Sequence, residues 1–254
     1  MKSSTLHIAI FSAVIMLSVS SCSMNNAKDQ EKVENKIDLE ANSKLFLLSK
    51  GLTTDTLERE FLNLLEKEPQ LNSVAVIVNA SSTIQKKYKK TEKVKIQFTK
   101  MGFDSTKIEL FDLMKTSHRE LSRFDIIYIL GGNPFLLLNE VNKSGAHKTL
   151  ESLMFKDKIL MGYSAGSLLL GPNLSLMNHV DSLLGFNEIN LKELSCIGLY
   201  DFYIFPHYTE FTSQVPELAA KIENFESLSD KPLHRLNDNQ GIIIQNGNME
   251  IIGN

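Results

Sequence analysis

Lys158-Ile-Leu-Met-Gly-Tyr-Ser-Ala-Gly-Ser-Leu-Leu-Leu-Gly171 consists of an apolar run, one reactive side chain bracketed by glycines, and a second apolar run. Ile159 to Met161 reads as a buried strand, and the leucines from Leu168 onward as the face of a helix. The segment Gly162-Tyr-Ser-Ala-Gly166 between them is then a sharp strand-to-helix turn. Small residues on both sides of Ser164 allow a strained backbone there and let the hydroxyl stand clear. The N-terminus of the following helix aims free N–H groups and the positive end of its dipole at the same point. One short segment can thus supply a nucleophile and part of an oxyanion hole. Taken alone, the five residues equally describe a glycine-bounded strand with an incidental serine, so the rest of the chain must decide.

Working outward, strands and helices alternate. Lys44–Leu48, Ser73–Val78, Ile108–Phe111 and Asp125–Leu130 are short and apolar, as strands covered on both faces would be. Between them, Asp55 with Glu58 resembles a capping box, followed by Leu57, Phe61, Leu64 and Leu65 on one helical face. A lysine-rich helix ends near Gly102, and a further helix is expected around Thr116 to Leu121. This alternation predicts an α/β fold of three layers, a largely parallel sheet with helices on both faces. Near the end, Asn246-Gly247 between Gly241–Gln245 and Asn248–Ile252 predicts a β-hairpin closing one sheet edge.

Ligands of open parallel sheets sit beyond the carboxyl ends of the strands. Two further segments belong there. Leu130 runs into Gly131-Gly132-Asn133-Pro134, where glycine lets a backbone N–H approach a substrate oxygen. Phe202-Tyr-Ile-Phe-Pro206 ends at His207, one of six histidines. His7 lies in the leader, His118 and His147 in polar helical stretches, and His179 and His234 in expected loops. His207 alone follows a strand, which makes it the candidate base for Ser164. No histidine or cysteine spacing matches a metal site, and no cofactor is implied.

Charge and composition narrow the function classes. The chain has 27 basic and 30 acidic residues, a net charge of −3, and nothing that calls for nucleic acid. Seven lysines between Lys86 and Lys100 alternate with Tyr88, Val94, Ile96 and Phe98, as on the solvated face of an amphipathic helix. Residues 1–21 have the form of a secretory signal, with Lys2 ahead of the apolar stretch Ile8 to Val19. Val19-Ser-Ser-Cys22 resembles the lipobox of bacterial lipoproteins, in which the cysteine becomes the acylated N-terminus. Residues 22–43, rich in Asn, Lys, Asp, Glu and Ser, then read as a disordered tether from a lipidated Cys22 to a domain at 44–254. The expected location is the bacterial cell envelope, anchored to a membrane by lipid. Cys196 has no intramolecular partner once Cys22 is acylated.

Three segments in order, Ile127 to Phe135, Gly162 to Pro172 and Gly198 to Tyr208, resemble the motifs of the peptidase E (aspartyl dipeptidase) family of serine peptidases. That family belongs to the class I glutamine amidotransferase-like superfamily, with a flavodoxin-like sheet. The resemblance runs from about Lys44 to the end and takes in Leu236-Asn-Asp-Asn-Gln-Gly241. It implies Ser164 as nucleophile, His207 as general base, and the N–H groups of Gly132 and Ala165 as the oxyanion hole. For the acidic third member it points to Asp238, with Asp181 as runner-up. Glu210 stands three residues past His207, where amidotransferase relatives place a glutamate two residues past, and Asp201 reads as structural.

Two departures concern specificity. Aspartyl dipeptidases are expected to carry an arginine shortly after the histidine motif, and here none occurs before Arg235. Pro134 stands where the family often has threonine or glutamine. The resemblance therefore implies hydrolysis of small peptides, with N-terminal Asp-X as the family preference. The competing readings are a serine esterase or amidase, for which Asp181 would restore the order serine, acid, histidine, and an inactive lipid-anchored binding protein. A glutamine amidotransferase would need cysteine at position 164. Compact domains of this kind often pair, so a homodimer is open.

Overall fold

The computed structural model describes residues 44–253. The signal segment, Cys22 and the tether lie outside the described residues.

Among the described residues, nine strands and eight α-helices follow one another, largely in alternation. β1 (Lys44–Leu48) leads to α1 (Asp55–Asn63), β2 (Val74–Ile77) to α2 (Ile84–Lys100), and β3 (Ile108–Phe111) to β4 (Ile126–Ile129). Then come α3 (Pro134–Ser144), α4 (His147–Leu153), β5 (Ile159–Tyr163), α5 (Ala165–Leu170) and α6 (Ser175–Leu184). β6 (Tyr203–Phe205), α7 (Tyr208–Gln214), α8 (Glu217–Leu228), β7 (Leu233–Arg235), β8 (Gly241–Gln245) and β9 (Asn248–Ile252) complete the chain. Seven strands form one sheet in the order β3-β2-β4-β5-β1-β8-β9, parallel as far as β1 and antiparallel in the β8–β9 hairpin. Asn246 and Gly247 both take positive φ, at 54° and 75°, the backbone a tight hairpin turn requires.

Because successive side chains on a strand point to opposite faces, each central strand feeds two cores. Phe46, Leu48, Val74, Val76, Ile126 and Met161 pack with Leu57 and Phe61 of α1 and Val94 and Phe98 of α2. Leu45, Leu47, Ala75, Ile77, Ile127, Ile129 and Leu160 pack with α3, α5, α6 and α8 on the other side. Three layers result, and every residue of β1, β2 and β4 is buried. The first core is built on rings: Phe98 lies 5.3 Å from Phe61, 4.9 Å from Phe103 and 5.8 Å from Tyr128, centroid to centroid.

Several local expectations are corrected. The cap of α1 is Thr54, whose hydroxyl accepts from Leu57 N–H, while Asp55 occupies the first helical position and Glu58 accepts from Gln97. The helix expected around Thr116 is a 3-10 segment at His118–Arg123. His179 lies within α6 rather than a loop, packed 5.6 Å from the Phe225 ring, and His234 lies on β7. β7 pairs parallel with β6 in a small second sheet, so the strand leading to His207 does not join the main one.

Candidate active site

Ser164 occupies the turn between β5 and α5 with φ 51° and ψ −110°, a conformation that L-residues avoid. Neighbouring contacts enforce it. Ser164 N–H donates to Leu48 O on β1 (2.9 Å), and that same carbonyl accepts from Ser167 Oγ (2.8 Å). Both flanking glycines are obligatory: a Cβ at Gly162 would come within 2.4 Å of Ser167 N, and one at Gly166 within 2.0 Å of Ile129 O. Strand and helix touch backbone to backbone, which throws the intervening serine outward. Ala165 is the first residue of α5, where N–H groups have no intrahelical acceptor.

The Gly131–Gly132 loop after β4 is equally constrained. Gly132 has φ 148°, and a Cβ there would lie 2.3 Å from Ala80 O. Asn133 anchors the loop by capping α3 through Phe135 and Leu136 N–H, and its side-chain amide donates to Phe186 O (2.7 Å). Pro134 fits as the first residue of α3, where no N–H is needed.

His207, just past β6, also has positive φ, 56°. Its Nδ1 lies 2.6 Å from Asp238 Oδ1, which makes Nδ1–H the donor and leaves Nε2 as the basic nitrogen. Asp238 Oδ2 in turn lies 2.5 Å from Lys50 Nζ. Burial works to raise the Asp238 pKa, but the hydrogen bonds and charges of Lys50 and His207 outweigh it and hold the carboxyl below its ordinary value. Lys50, bonded to Asp238 and then attracted by Glu210, is raised. His207, Glu210 and Asp238 place ligand atoms within 4.8 Å of one another, but the Lys50 ammonium already supplies a cation to both carboxylates.

Ser164, Ala165, Gly131, Gly132 and His207 line one cavity of about 220 Å³. Its other wall is apolar, with Pro134, Leu168, Met177, Phe186, Phe205 and Phe211. Tyr163 also lines it, and burial pushes its phenol above the ordinary value, so the hydroxyl stays protonated at neutral pH. No bond joining Ser164 Oγ to the His207 ring is formed among the described residues; such bonds often tighten only when substrate arrives.

The structure thus brings Asp238 to His207. It does not bring Asp181, whose carboxylate accepts from Phe186 and Asn187 N–H (2.7 and 2.9 Å) and caps the end of α6. Glu210 stays 4.0 Å from His207 Nδ1. Asp201 is exposed and pairs with Lys231. Arg235 is taken by Glu226 (2.6 Å) and does not line the cavity. Cys196 is buried, and burial pushes its thiol pKa up, so it offers no thiolate. Two lysines escaped the sequence reading, Lys50 and Lys90. Lysines in polar surroundings carry no periodic signal, and only the fold shows which of them reach the site.

The sequence profile of peptidase family S51 matches residues 45–252. The chain belongs to that family. Among its relatives, an uncharacterized peptidase of Pasteurella multocida is 32% identical over 151 residues, spanning 58% of this chain and 70% of the relative. An uncharacterized peptidase of Listeria monocytogenes is 29% identical over 126 residues, 50% of this chain and 59% of its own length. In fold, a crystal structure described as a peptidase E protein from Listeria monocytogenes EGD-e matches with TM-score 0.65 and 22% identity over 84% of this chain and 98% of that one. A peptidase from an acI-B1 Actinobacterium matches with TM-score 0.59 and 18% identity over 84% and 88% of the two chains. As an S51 member the protein is a hydrolase, a serine peptidase.

Proposed function

We propose that the protein hydrolyses short peptides by acyl transfer, with Ser164 as nucleophile, His207 as general base and Asp238 as its orienting partner. One observation carries the reading: a strained, outward-turned serine and a carboxylate-bound histidine line the same cavity. In the first step Ser164 Oγ attacks the amide carbonyl carbon while its proton passes to His207 Nε2. The carbonyl oxygen becomes an oxyanion held by the N–H groups of Gly132 and Ala165. Collapse breaks the C–N bond, and the imidazolium returns its proton to the leaving amine. Water, deprotonated by the same ring, then attacks the ester and releases the acid, regenerating Ser164. Asp238 fixes the tautomer and stabilises the imidazolium without taking the proton.

The cavity volume of about 220 Å³ lies below the usual range of small-ligand sites, ~300–1,000 Å³, and suits the few atoms of a short peptide around its scissile bond. The leader at residues 1–21 and acylation of Cys22 belong to the same proposal, as the means of holding the enzyme in the envelope. The test of activity is a dipeptide panel with Asp, Glu, Ser and neutral N-terminal residues, run beside Ser164→Ala. Cleavage of at least one member, lost in the variant, is expected. Equal turnover by the variant would remove Ser164 from the mechanism.

A further inference from the structure

Lys90 differs from its neighbours on α2. Lys86, Lys89 and Lys93 are exposed, whereas Lys90 is half-buried, lines the cavity beside Gly131, Gly132 and Ser164, and donates a 2.5 Å hydrogen bond from Nζ to Gly131 O. Burial, and after it the nearby Lys86 charge, pulls its pKa below the ordinary lysine value. Taking an ammonium out of water for one backbone carbonyl is unfavourable by itself, which directs attention to what that carbonyl controls.

Gly131 C=O and Gly132 N–H are the two ends of one peptide group. The described residues contain no cis peptide, so the two groups point in opposite directions. Lys90 comes from the helix after β2 and Ser164 from the turn after β5, and β4, which ends in the two glycines, lies between those strands. A carbonyl committed to Lys90 therefore directs Gly132 N–H away from Lys90, at the edge of the cavity that Ser164 also lines. The loop itself is tightly seated: a Cβ on Gly131 would meet Ser164 Cβ at 3.0 Å, and Asn133 N–H donates to Ala80 O at 3.0 Å. Yet a glycine–glycine peptide can rotate about its flanking bonds with little steric cost. The bond from Lys90 to Gly131 O favours the orientation this peptide adopts.

We propose that Lys90 is a positioning residue for acyl transfer: its bond to Gly131 O locks and polarises the Gly131–Gly132 peptide, making Gly132 N–H a preorganised donor to the oxyanion formed at Ser164. A hydrogen bond accepted at the carbonyl strengthens the N–H of the same peptide as a donor, and a donor already in place needs no reorganisation during reaction. The inference rests on Ser164 being the nucleophile.

The experiment compares the wild-type chain, Lys90→Met, Lys90→Gln, Lys90→Arg and Ser164→Ala, using the dipeptide the wild type cleaves best and the rate of labelling by a fluorophosphonate. Because loss of an oxyanion donor costs about 10²–10³ in kcat, loss of its support in Lys90→Met is expected to lower kcat by about 10–100-fold with KM changed less than about threefold. Labelling should slow in parallel, and Lys90→Arg, which keeps a donor, should recover most of kcat. Thermal melting checks the fold of each variant, and Lys90→Gln carries the comparison if the methionine variant is unstable. A raised KM at unchanged kcat would make Lys90 a ligand for a substrate carboxylate and overturn the inference, as would unchanged kinetics. Full activity in Ser164→Ala, or a wild-type chain that neither cleaves nor labels, would instead overturn the underlying reading of the site, and this inference with it.

Discussion

Ser49 Oγ accepts a hydrogen bond from the backbone N–H of His207 at 2.8 Å, across 158 positions of sequence. The same hydroxyl donates to Leu236 O (3.3 Å), and Ser49 N–H donates to Gln240 O (3.0 Å). The end of β1 thereby ties together the loops that carry His207 and Asp238. Ser49→Ala should leave the His207 amide unpaired, at a cost of about 1–3 kcal/mol, and should lower kcat as the ring loses its seat. Urea denaturation and dipeptide kinetics on one preparation check both effects; full activity in the alanine variant would show that the loops hold without it.

Asp238 and Asp181 make opposite predictions. Asp238→Asn is expected to lower kcat by about 10³-fold or more, since the amide favours the wrong imidazole tautomer. Asp181→Ala should leave kcat within about twofold and cost about 1 kcal/mol of stability, because the Phe186 and Asn187 N–H groups lose their shared acceptor after α6. Reversed results from steady-state kinetics would reassign the third member.

The strain at Ser164 should be visible in stability. Ser164→Gly removes the cost of holding an L-residue at φ 51°, on the order of 1–3 kcal/mol, while Ser164→Ala retains it. Both variants should be inactive, with the glycine variant melting higher. Equal melting temperatures would show that the turn stores no strain.

Gly166 admits no side chain, because a Cβ would meet Ile129 O at 2.0 Å. Gly166→Ala should force α5 away from β4 and destabilise the domain by more than about 4 kcal/mol, within the class of overpacked cores. Soluble yield and chemical denaturation provide the readout, and a stable alanine variant would contradict this backbone contact between α5 and β4.

Asp112 is buried and paired with Lys87 Nζ at 2.8 Å. Burial would raise its pKa, but the hydrogen bonds from Lys87, Met114 N–H and Asn79 together hold it below the ordinary carboxylate value. The folded state thus binds this proton less readily than the unfolded chain. The stabilisation is complete above the unfolded value of about 3.9 and is lost as pH falls from there through the folded value. Asp112→Asn should flatten part of the acid limb of stability, and only part, since Asp125 and Asp238 are depressed as well. Lys87→Met should cost about 3 kcal/mol at neutral pH by stranding the carboxylate. An acid limb unchanged in Asp112→Asn would assign the dependence to other groups.

What could be read from the sequence follows from which interactions leave a local signature. Gly162, Ser164 and Gly166 were legible because backbone contact demands glycine at fixed spacing around the serine. The central strands were legible because burial on both faces demands unbroken apolar runs. Asp238 was reached only through its resemblance to a family, since a loop aspartate before a strand has no distinguishing pattern of its own. Lys50 and Lys90 were invisible for the same reason, and β7 went unread because Leu-His-Arg shows no apolar period. Pairing with β6, a property of the folded chain, creates that strand.

β1 lies between β5 and β8, so the segment at 44–48 gains its second neighbour only from residues 241–245. On a ribosome, the serine turn can be synthesised and its strand paired well before Asp238 and β8 emerge. Until they do, β1 keeps an open flank and His207 lacks its carboxylate. The nascent chain therefore presents the Ser164 turn before the His207–Asp238 pair can form, and the site is completed only by the last part of the chain to emerge.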